Sequence, residues 1–356
     1  MKHILFVFFI ALAITSCDKK TVAEWVATTP DASWQTQNTS EIKPVKTDSA
    51  DVEILTNSEL QTVDGFGACF NELGWTSLAL LTDAEREAIF KELFTAEGAN
   101  FTICRMPVGA NDFSRDWYSY NETDGDFEMK NFSIENDKET LIPFIKSAQK
   151  HNPDLTLWAS PWSPPVWMKE NKHYACKPLN DPFFDLSFTN GMRPEQERRE
   201  GDNMFITEDK YFAAYALYFQ KFIEAYRTEG INISMVMPQN EFNSCQPFPS
   251  CTWQAAALAE FTGKHLVPAM KKLDVAVAFG TMERPNPALV DTILNAEGGD
   301  QITGVGFQWA GRDALPCIHE RYPNLKMYQT EQECGNGRND WEGCAYSWEL
   351  MKHYFT

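Results

Sequence analysis

The chain has 356 residues, with 50 Asp and Glu against 31 Lys and Arg, and a net charge of −19. That balance argues against nucleic acid and anionic membrane surfaces as partners, since both reward clustered Lys and Arg. A neutral ligand is unaffected by it. Eleven Trp and 25 Phe make a heavy aromatic load, mostly core material.

Lys2 and His3 precede an unbroken apolar run from Ile4 to Ala13. The run is too short to span a bilayer as a stable helix. It leads into Ile14-Thr15-Ser16-Cys17 and then Asp18-Lys19-Lys20. Small residues before a cysteine and polar ones after it resemble a bacterial lipoprotein signal, in which the cysteine becomes the lipidated first residue. The expectation is an exported protein, anchored to the cell envelope through Cys17 and touching membrane only through that lipid. An ordinary cleaved signal peptide with an incidental cysteine is the alternative. The chain then divides into a signal over 1–17, a tether with a partial β side domain over 18–60, and a main domain over 61–356. About 340 residues past the signal are enough for one large core.

Eight cysteines follow Cys17. Export permits disulfides, and Cys245 with Cys251, sharing one loop, is the favoured pair. There is no Cys-x-x-Cys and the six His are scattered, which speaks against a zinc site.

From residue 61 strands and helices alternate. The first predicted strand ends in Val63-Asp64-Gly65-Phe66-Gly67-Ala68. Its helix starts at Thr82-Asp83-Ala84-Glu85, where Thr82 and Glu85 form a capping-box pattern, and Ile89, Phe90, Leu93 and Phe94 supply an apolar face. Asn100 to Pro107 reads as the second strand and Lys138 to Lys150 as its helix. Leu155 to Ser160 is the third strand. A long polar stretch from Ser163 to Asn203 separates it from a helix over Thr207 to Arg227. That connection far exceeds the usual few residues. Ile231 to Met237 is the fourth strand, with a helix over Trp253 to Leu273. Val275 to Gly280, Ile302 to Trp309 and Leu325 to Gln329 are the fifth to seventh strands. Helical pieces follow each, the last over Asp340 to Phe355.

Unbroken alternation predicts an α/β fold with a parallel sheet: a (β/α)8 TIM barrel of which about seven βα units are present. A doubly wound open sheet is the alternative, but Gly65-Phe66-Gly67-Ala68-Cys69-Phe70 is not its phosphate-binding fingerprint. An eighth strand is not visible. A seven-stranded barrel would leave its first and last strands with open edges, so the chain is expected to be incomplete as a folded enzyme.

Two strings carry chemistry. Pro238-Gln239-Asn240-Glu241 follows the fourth strand, and Gln329-Thr330-Glu331 closes the seventh. Carboxylates at the C-terminal ends of two barrel strands face one pocket. One acid can protonate a leaving oxygen while the other attacks an anomeric carbon or activates water, which is what cleavage of a glycosidic bond requires. Such chemistry needs no cofactor. Glu333 is a second candidate near the seventh strand, but it sits two residues further into the loop, where its aim is poorer.

The separated motifs Asp64-Gly65-Phe66-Gly67-Ala68, Arg105-Met106-Pro107, Asn111-Asp112-Phe113-Ser114, Ala159-Ser160-Pro161-Trp162-Ser163-Pro164-Pro165, Asn240-Glu241, Phe307-Gln308-Trp309 and Thr330-Glu331 resemble glycoside hydrolase family 30. The resemblance runs from about Asp64 to the C-terminus. It implies a retaining β-glycosidase acting on a β-linked glucose-type glycan or glycoside, with Glu241 as acid/base and Glu331 as nucleophile. It implies that Asp112 and Trp162 hold and flank the sugar, that Asn240 bonds its 2-hydroxyl, that Arg105 lies beneath the nucleophile and that Trp309 walls the pocket. From the residues alone, Arg105 also reads as a barrel-core ion pair, Trp309 as packing and Trp167 as a loop anchor. Two departures stand out. Phe242-Asn243-Ser244 follows Glu241 where many members have Pro, and only residues of about 25–60 are expected to contribute strands to the family's side β-sandwich. Specificity for a fucoside, xyloside or galactoside, or a glycan-binding surface lipoprotein without activity, are the competing readings.

Overall fold

The computed structural model describes residues 22–23, 25–37, 40–41, 55–179, 189–332 and 340–355. Cys17, Glu333 and Cys334 lie outside the described residues. The chain forms two compact units. One ends at Thr62 and takes up the C-terminal helix; the other begins at Val63. The boundary lies two residues past the sequence division at 60/61. The last helix packs in one unit with the N-terminal strands.

In the smaller unit β1 (Val22–Ala23) pairs antiparallel with β4 (Ser40–Glu41). Between them in sequence, β2 (Val26–Thr29) and β3 (Ala32–Thr36) form a hairpin. Thr29 closes its turn by accepting the Ala32 N–H at 3.2 Å.

The larger unit is built on parallel strands. Its first predicted strand is not regular. Phe66 to Phe70 nevertheless runs beside β5 (Ile103–Pro107): Thr102 N donates to Phe66 O at 2.9 Å, Arg105 N to Ala68 O at 3.0 Å and Phe70 N to Arg105 O at 2.9 Å. Gly67 permits this approach, because a Cβ there would fall 1.6 Å from the Ile103 carbonyl oxygen. A short helix the sequence reading missed, α1 (Glu72–Leu78), follows, capped by Asn71. In α2 (Asp83–Phe94) the capping box forms: Thr82 N donates to Glu85 Oε2 at 2.9 Å and Glu85 N to Thr82 Oγ1 at 3.3 Å. Such a cap is worth about 1 kcal/mol.

The predicted second helix is two pieces, α3 (Glu135–Glu139) and α4 (Leu141–His151). β6 (Thr156–Ser160), then α5 (Asp209–Thr228) and a short β7 (Met235–Val236) follow. The apolar side of α5 buries Phe212, Tyr215, Phe219 and Phe222, stacked with Phe205, Trp253 and Phe261. The helix predicted as one span over Trp253 to Leu273 is α6 (Ala255–Glu260) and α7 (Val267–Lys271) joined by a π-helical stretch, Phe261–Leu266. Pro268 has no N–H for the preceding turn, and a wider turn accommodates that loss.

The fifth strand breaks at Ala278 into β8 (Ala276–Val277) and β9 (Phe279–Met282). β8 pairs with β7 and β9 pairs with β10 (Gly304–Gln308), so one strand joins the order β5-β6-β7-β8 to the order β9-β10-β11. α8 (Pro287–Leu294) precedes β10, and α9 (Leu315–Arg321) leads to β11 (Lys326–Glu331). α10 (Trp341–Phe355) closes the chain and belongs to the smaller unit.

The parallel strands are buried on both faces and therefore read as near-continuous apolar runs. Trp158, Met235, Met237 and Ala278 pack together, joined by Ile103, Ala276 and Tyr328. Gly306 leaves room for this cluster, since a Cβ on it would meet Met237 Sδ at 2.8 Å and Thr330 Cγ2 at 2.9 Å.

Among the described residues no disulfide joins Cys245 to Cys251; both are free thiols. The Cys245 thiol donates to the Arg198 carbonyl oxygen at 3.1 Å, and its sulfur neighbour is Cys176. Sharing a loop did not bring the two sulfurs together, because the loop folds back through Cys176 N–H donating to Gln246 O.

Candidate active site

Arg105 is the centre of the site. It lies on β5 with almost no exposure. Its Nη2 donates to Asn240 Oδ1 at 2.6 Å and to Ser160 Oγ at 2.8 Å. Its Nη1 donates to Glu331 Oε2 at 2.9 Å and to the Thr330 carbonyl oxygen at 3.4 Å. The guanidinium also lies 4.1 Å from the Trp162 ring centre and 5.1 Å from that of Trp158, a cation–π geometry. One side chain thus ties the ends of β5, β6, β7 and β11 together.

Asn240 follows β7. Its Oδ1 accepts from three donors: Arg105, Gln308 Nε2 at 2.9 Å and Thr281 Oγ1 at 3.1 Å. Three donors on one oxygen fix the amide orientation and turn Nδ2, the donor end, the other way.

Glu331 is the last residue of β11. A register shift sets its direction: Phe307 pairs with Gln329, and the next partner of Gln308 is Glu331 rather than Thr330. Such a bulge re-aims the side chain that follows it. Here it brings Glu331 Oε2 against Gln308 Nε2, at 3.1 Å, as well as against Arg105.

Glu241 has a contrasting environment. It is 4% exposed, and its Oε2 is buried without a hydrogen-bond partner. Burial first, then the charges of Glu331, Glu283 and Asp112, hold its carboxyl well above the ordinary range, with Arg105 opposing. Its backbone sits at φ 48°, a costly conformation for a residue with a Cβ. A hydrogen bond from its N–H to Thr281 Oγ1 at 3.0 Å holds it there. Trp309, directly after β10, is also at positive φ, 46°, and is half-buried.

Asp112 follows β5, and its carboxyl is pushed up to about 7 by burial and then by the charge of Glu331, with Arg105 opposing. Trp162 is buried. Arg105 occupies a ring face, so Trp162 is not an open sugar platform; its Nε1, buried without a partner, is what it offers. Trp167 is a loop anchor, with Nε1 donating to the Asn121 carbonyl oxygen at 2.9 Å.

The sequence reading singled out neither Gln308 nor Thr281 as a site residue, yet both bond to Asn240. Gln308 stood inside a quoted motif; Thr281, in a strand of ordinary β-formers, left no signal. It also missed Lys169, fully buried in the long loop, whose Nζ donates to Ser163 Oγ, Tyr174 O and Ser250 O at 3.1, 2.6 and 2.7 Å. A lysine in a polar loop reads as solvent-facing until the loop is folded.

Parallel βα units with carboxyl side chains in the segments that follow the strands are the arrangement of a TIM-barrel type of site. The chain belongs to glycoside hydrolase family 30: residues 63–180 and 195–355 match the Glycosyl hydrolase family 30 TIM-barrel domain. It is 31% identical over 302 residues to "Putative glucosylceramidase 1" of Caenorhabditis elegans, covering 81% of this chain and 53% of that protein. It is 26% identical over 284 residues to an endo-1,6-beta-D-glucanase of Neurospora crassa, covering 76% and 53%. The solved structure of the endo-beta1,6-glucanase BT3312 superposes with a TM-score of 0.69 at 26% identity, covering 84% of this chain and 63% of that one. The chain thus spans about half the length of the curated relatives it matches.

Proposed function

We propose that this protein is a retaining β-glycoside hydrolase acting on a β-linked glucose-type glycan or glycoside. The observation that carries the reading is the contrast between its two carboxylates. Glu331 Oε2 accepts from two donors, Arg105 and Gln308. The carboxyl of Glu241 is buried, has an unpartnered oxygen and is pushed toward its protonated form. One carboxyl fixed by two donors and another buried with an oxygen left open suit a nucleophile and an acid.

In the first step Glu331 attacks the anomeric carbon, forming a glycosyl ester. Glu241 gives its proton to the glycosidic oxygen, which leaves as an alcohol. In the second step Glu241, now a carboxylate, takes a proton from water as that water attacks the anomeric carbon and releases Glu331. Asn240 Nδ2 donates to the sugar 2-hydroxyl, a bond that tightens in the transition state. Asp112 and the Trp162 N–H hold the sugar's other hydroxyls, and Trp309 walls the pocket. The names of the relatives support glucose in the reacting position, as a glucosylceramide or as a β-1,6-glucan. We also propose that Cys17 carries a lipid that anchors the exported protein, on the strength of the apolar run and the residues flanking that cysteine.

A 2-fluoro glucoside with a good leaving group tests the mechanism. A covalent adduct is expected, and peptide mapping is expected to place it on Glu331. An adduct on Glu333 reverses the assignment. The absence of any adduct, together with inversion of product stereochemistry, removes the double displacement.

A further inference from the structure

Two carboxylate oxygens near the site are buried without a hydrogen-bond partner: Glu241 Oε2 and Glu283 Oε2. Glu283 directly follows β9 and is 7% exposed. The loop that carries Glu241 is stitched to the segment that carries Glu283. Glu241 N donates to Thr281 Oγ1 at 3.0 Å and Thr281 N to Gln239 O at 2.7 Å. Asn243 Oδ1 accepts from Glu283 N at 3.2 Å and from Arg284 N at 3.3 Å, while Asn243 Nδ2 donates to Arg284 O at 2.9 Å. Asn243 stands two residues past Glu241.

We propose that Glu283 is a positioning residue for the acid/base, whose ionised carboxylate keeps the proton on Glu241 until the leaving oxygen takes it. The proposal rests on the assignment of Glu241 above. Glu283 Oε1 is held by Arg284, so Glu283 acts through its charge.

The charged groups around the pair fix the sign. Glu241 faces Glu331 from β11, Asp112 from the loop after β5, Arg105 from β5, and Glu283 and Arg284 from the segment after β9. The three acids hold its proton and the two arginines oppose them. Glu283 itself faces Arg284, Glu200 and the Ser244 hydroxyl. Burial, with the charge of Glu200, holds its carboxyl above the ordinary range although Arg284 and Ser244 oppose them, so its charge acts above that raised range. Arg284 pairs with Glu283 through Nη1, but it is shared, its Nη2 lying 3.0 Å from Glu200 Oε1. One cation between two carboxylates leaves net negative charge beside Glu241. A like charge nearby favours the protonated form of a carboxyl.

The test reads protonation directly, on protein labelled with carboxyl-13C glutamate. The Glu241 resonance is assigned by its loss in Glu241→Gln. In Glu283→Gln, which keeps the shape and the backbone bonds to Asn243, the Glu241 midpoint is expected to fall by about one pH unit. Glu283→Asp, which keeps the charge, is expected to hold most of the wild-type midpoint. A second readout is the pH profile of kcat/KM for phenyl β-D-glucoside, whose alkaline limb is expected to move down with Glu283→Gln while the acid limb stays. An unmoved Glu241 midpoint in Glu283→Gln, or the same fall in Glu283→Asp, overturns the proposal. Activity that persists in Glu241→Ala on phenyl β-D-glucoside, beside a shifted midpoint, overturns the assignment of Glu241 and leaves the coupling standing.

Discussion

At the scale of single residues, the site depends on how many partners each polar atom has. Arg105 makes five hydrogen bonds, two to Ser160 and one each to Asn240, Thr330 and Glu331, while its guanidinium lies over two indole rings. Lysine has neither the fork geometry nor the flat face to replace it. Arg105→Lys is therefore expected to cost on the order of 3 kcal/mol in urea unfolding and to abolish most activity, because Asn240 and Glu331 both lose a fixed donor. Unchanged unfolding in the variant would contradict the role of Arg105 as a cross-brace. The two glutamates differ in the opposite sense. Glu241 keeps an oxygen unpaired, as suits a group that hands its proton to substrate. Glu241→Ala is expected to slow turnover of an alkyl or phenyl glucoside by about 10²- to 10⁴-fold and that of a 2,4-dinitrophenyl glucoside far less, since only the poorer leaving groups need the proton. Equal slowing of both would remove the acid role.

At the scale of elements, the long connections after the strands are held by buried polar knots. Asp137 on α3 is fully buried and accepts from Tyr118 and Tyr120, each at 2.6 Å, and from Tyr226 on α5. Burial still raises its carboxyl to about 6, against the pull of those hydroxyls. A folded value above the ordinary 3.8 means that the protonated form is favoured in the fold. The stability this contributes is fully present below the unfolded value and is lost as pH rises through about 6. Between pH 4 and pH 8 the wild type is expected to lose urea stability that Asp137→Asn does not lose. Parallel stability curves for the two proteins would show that Asp137 does not titrate in this window. The elements also show the limit of periodicity. The pattern placed α2, α5 and the parallel strands, because apolar spacing and caps are local. It merged α6, the π stretch and α7 into one helix and α3 with α4 into another. A break of one turn changes hydrogen bonding without changing which side chains are apolar.

At the scale of the whole molecule, two compact units share a chain whose ends both contribute to the smaller one. The larger one carries the parallel strands and the candidate site. Among the described residues no helix is long and apolar enough to cross a membrane. Attachment through Cys17 is expected to show as incorporation of labelled palmitate into the wild type and none into Cys17→Ala, with equal labelling of both excluding the anchor.

The sequence by itself determined that strands and helices alternate, that Glu241 and Glu331 fall at strand ends, and that Arg105, Asp112, Trp162 and Asn240 sit in motifs of one family. These are properties of spacing and residue type, and they survive any detail of packing. Only the tertiary structure decided how those residues meet. It covered a face of Trp162 with Arg105, placed three donors on the Asn240 oxygen, and used a one-residue register shift to set Glu331 opposite Gln308. It separated Cys245 from Cys251 and stitched the segment of Glu283 to the loop of Glu241 through Asn243. Each of these outcomes depends on contacts between segments far apart in the chain, where a shift of one residue in a strand, or one turn in a loop, changes which atoms face each other.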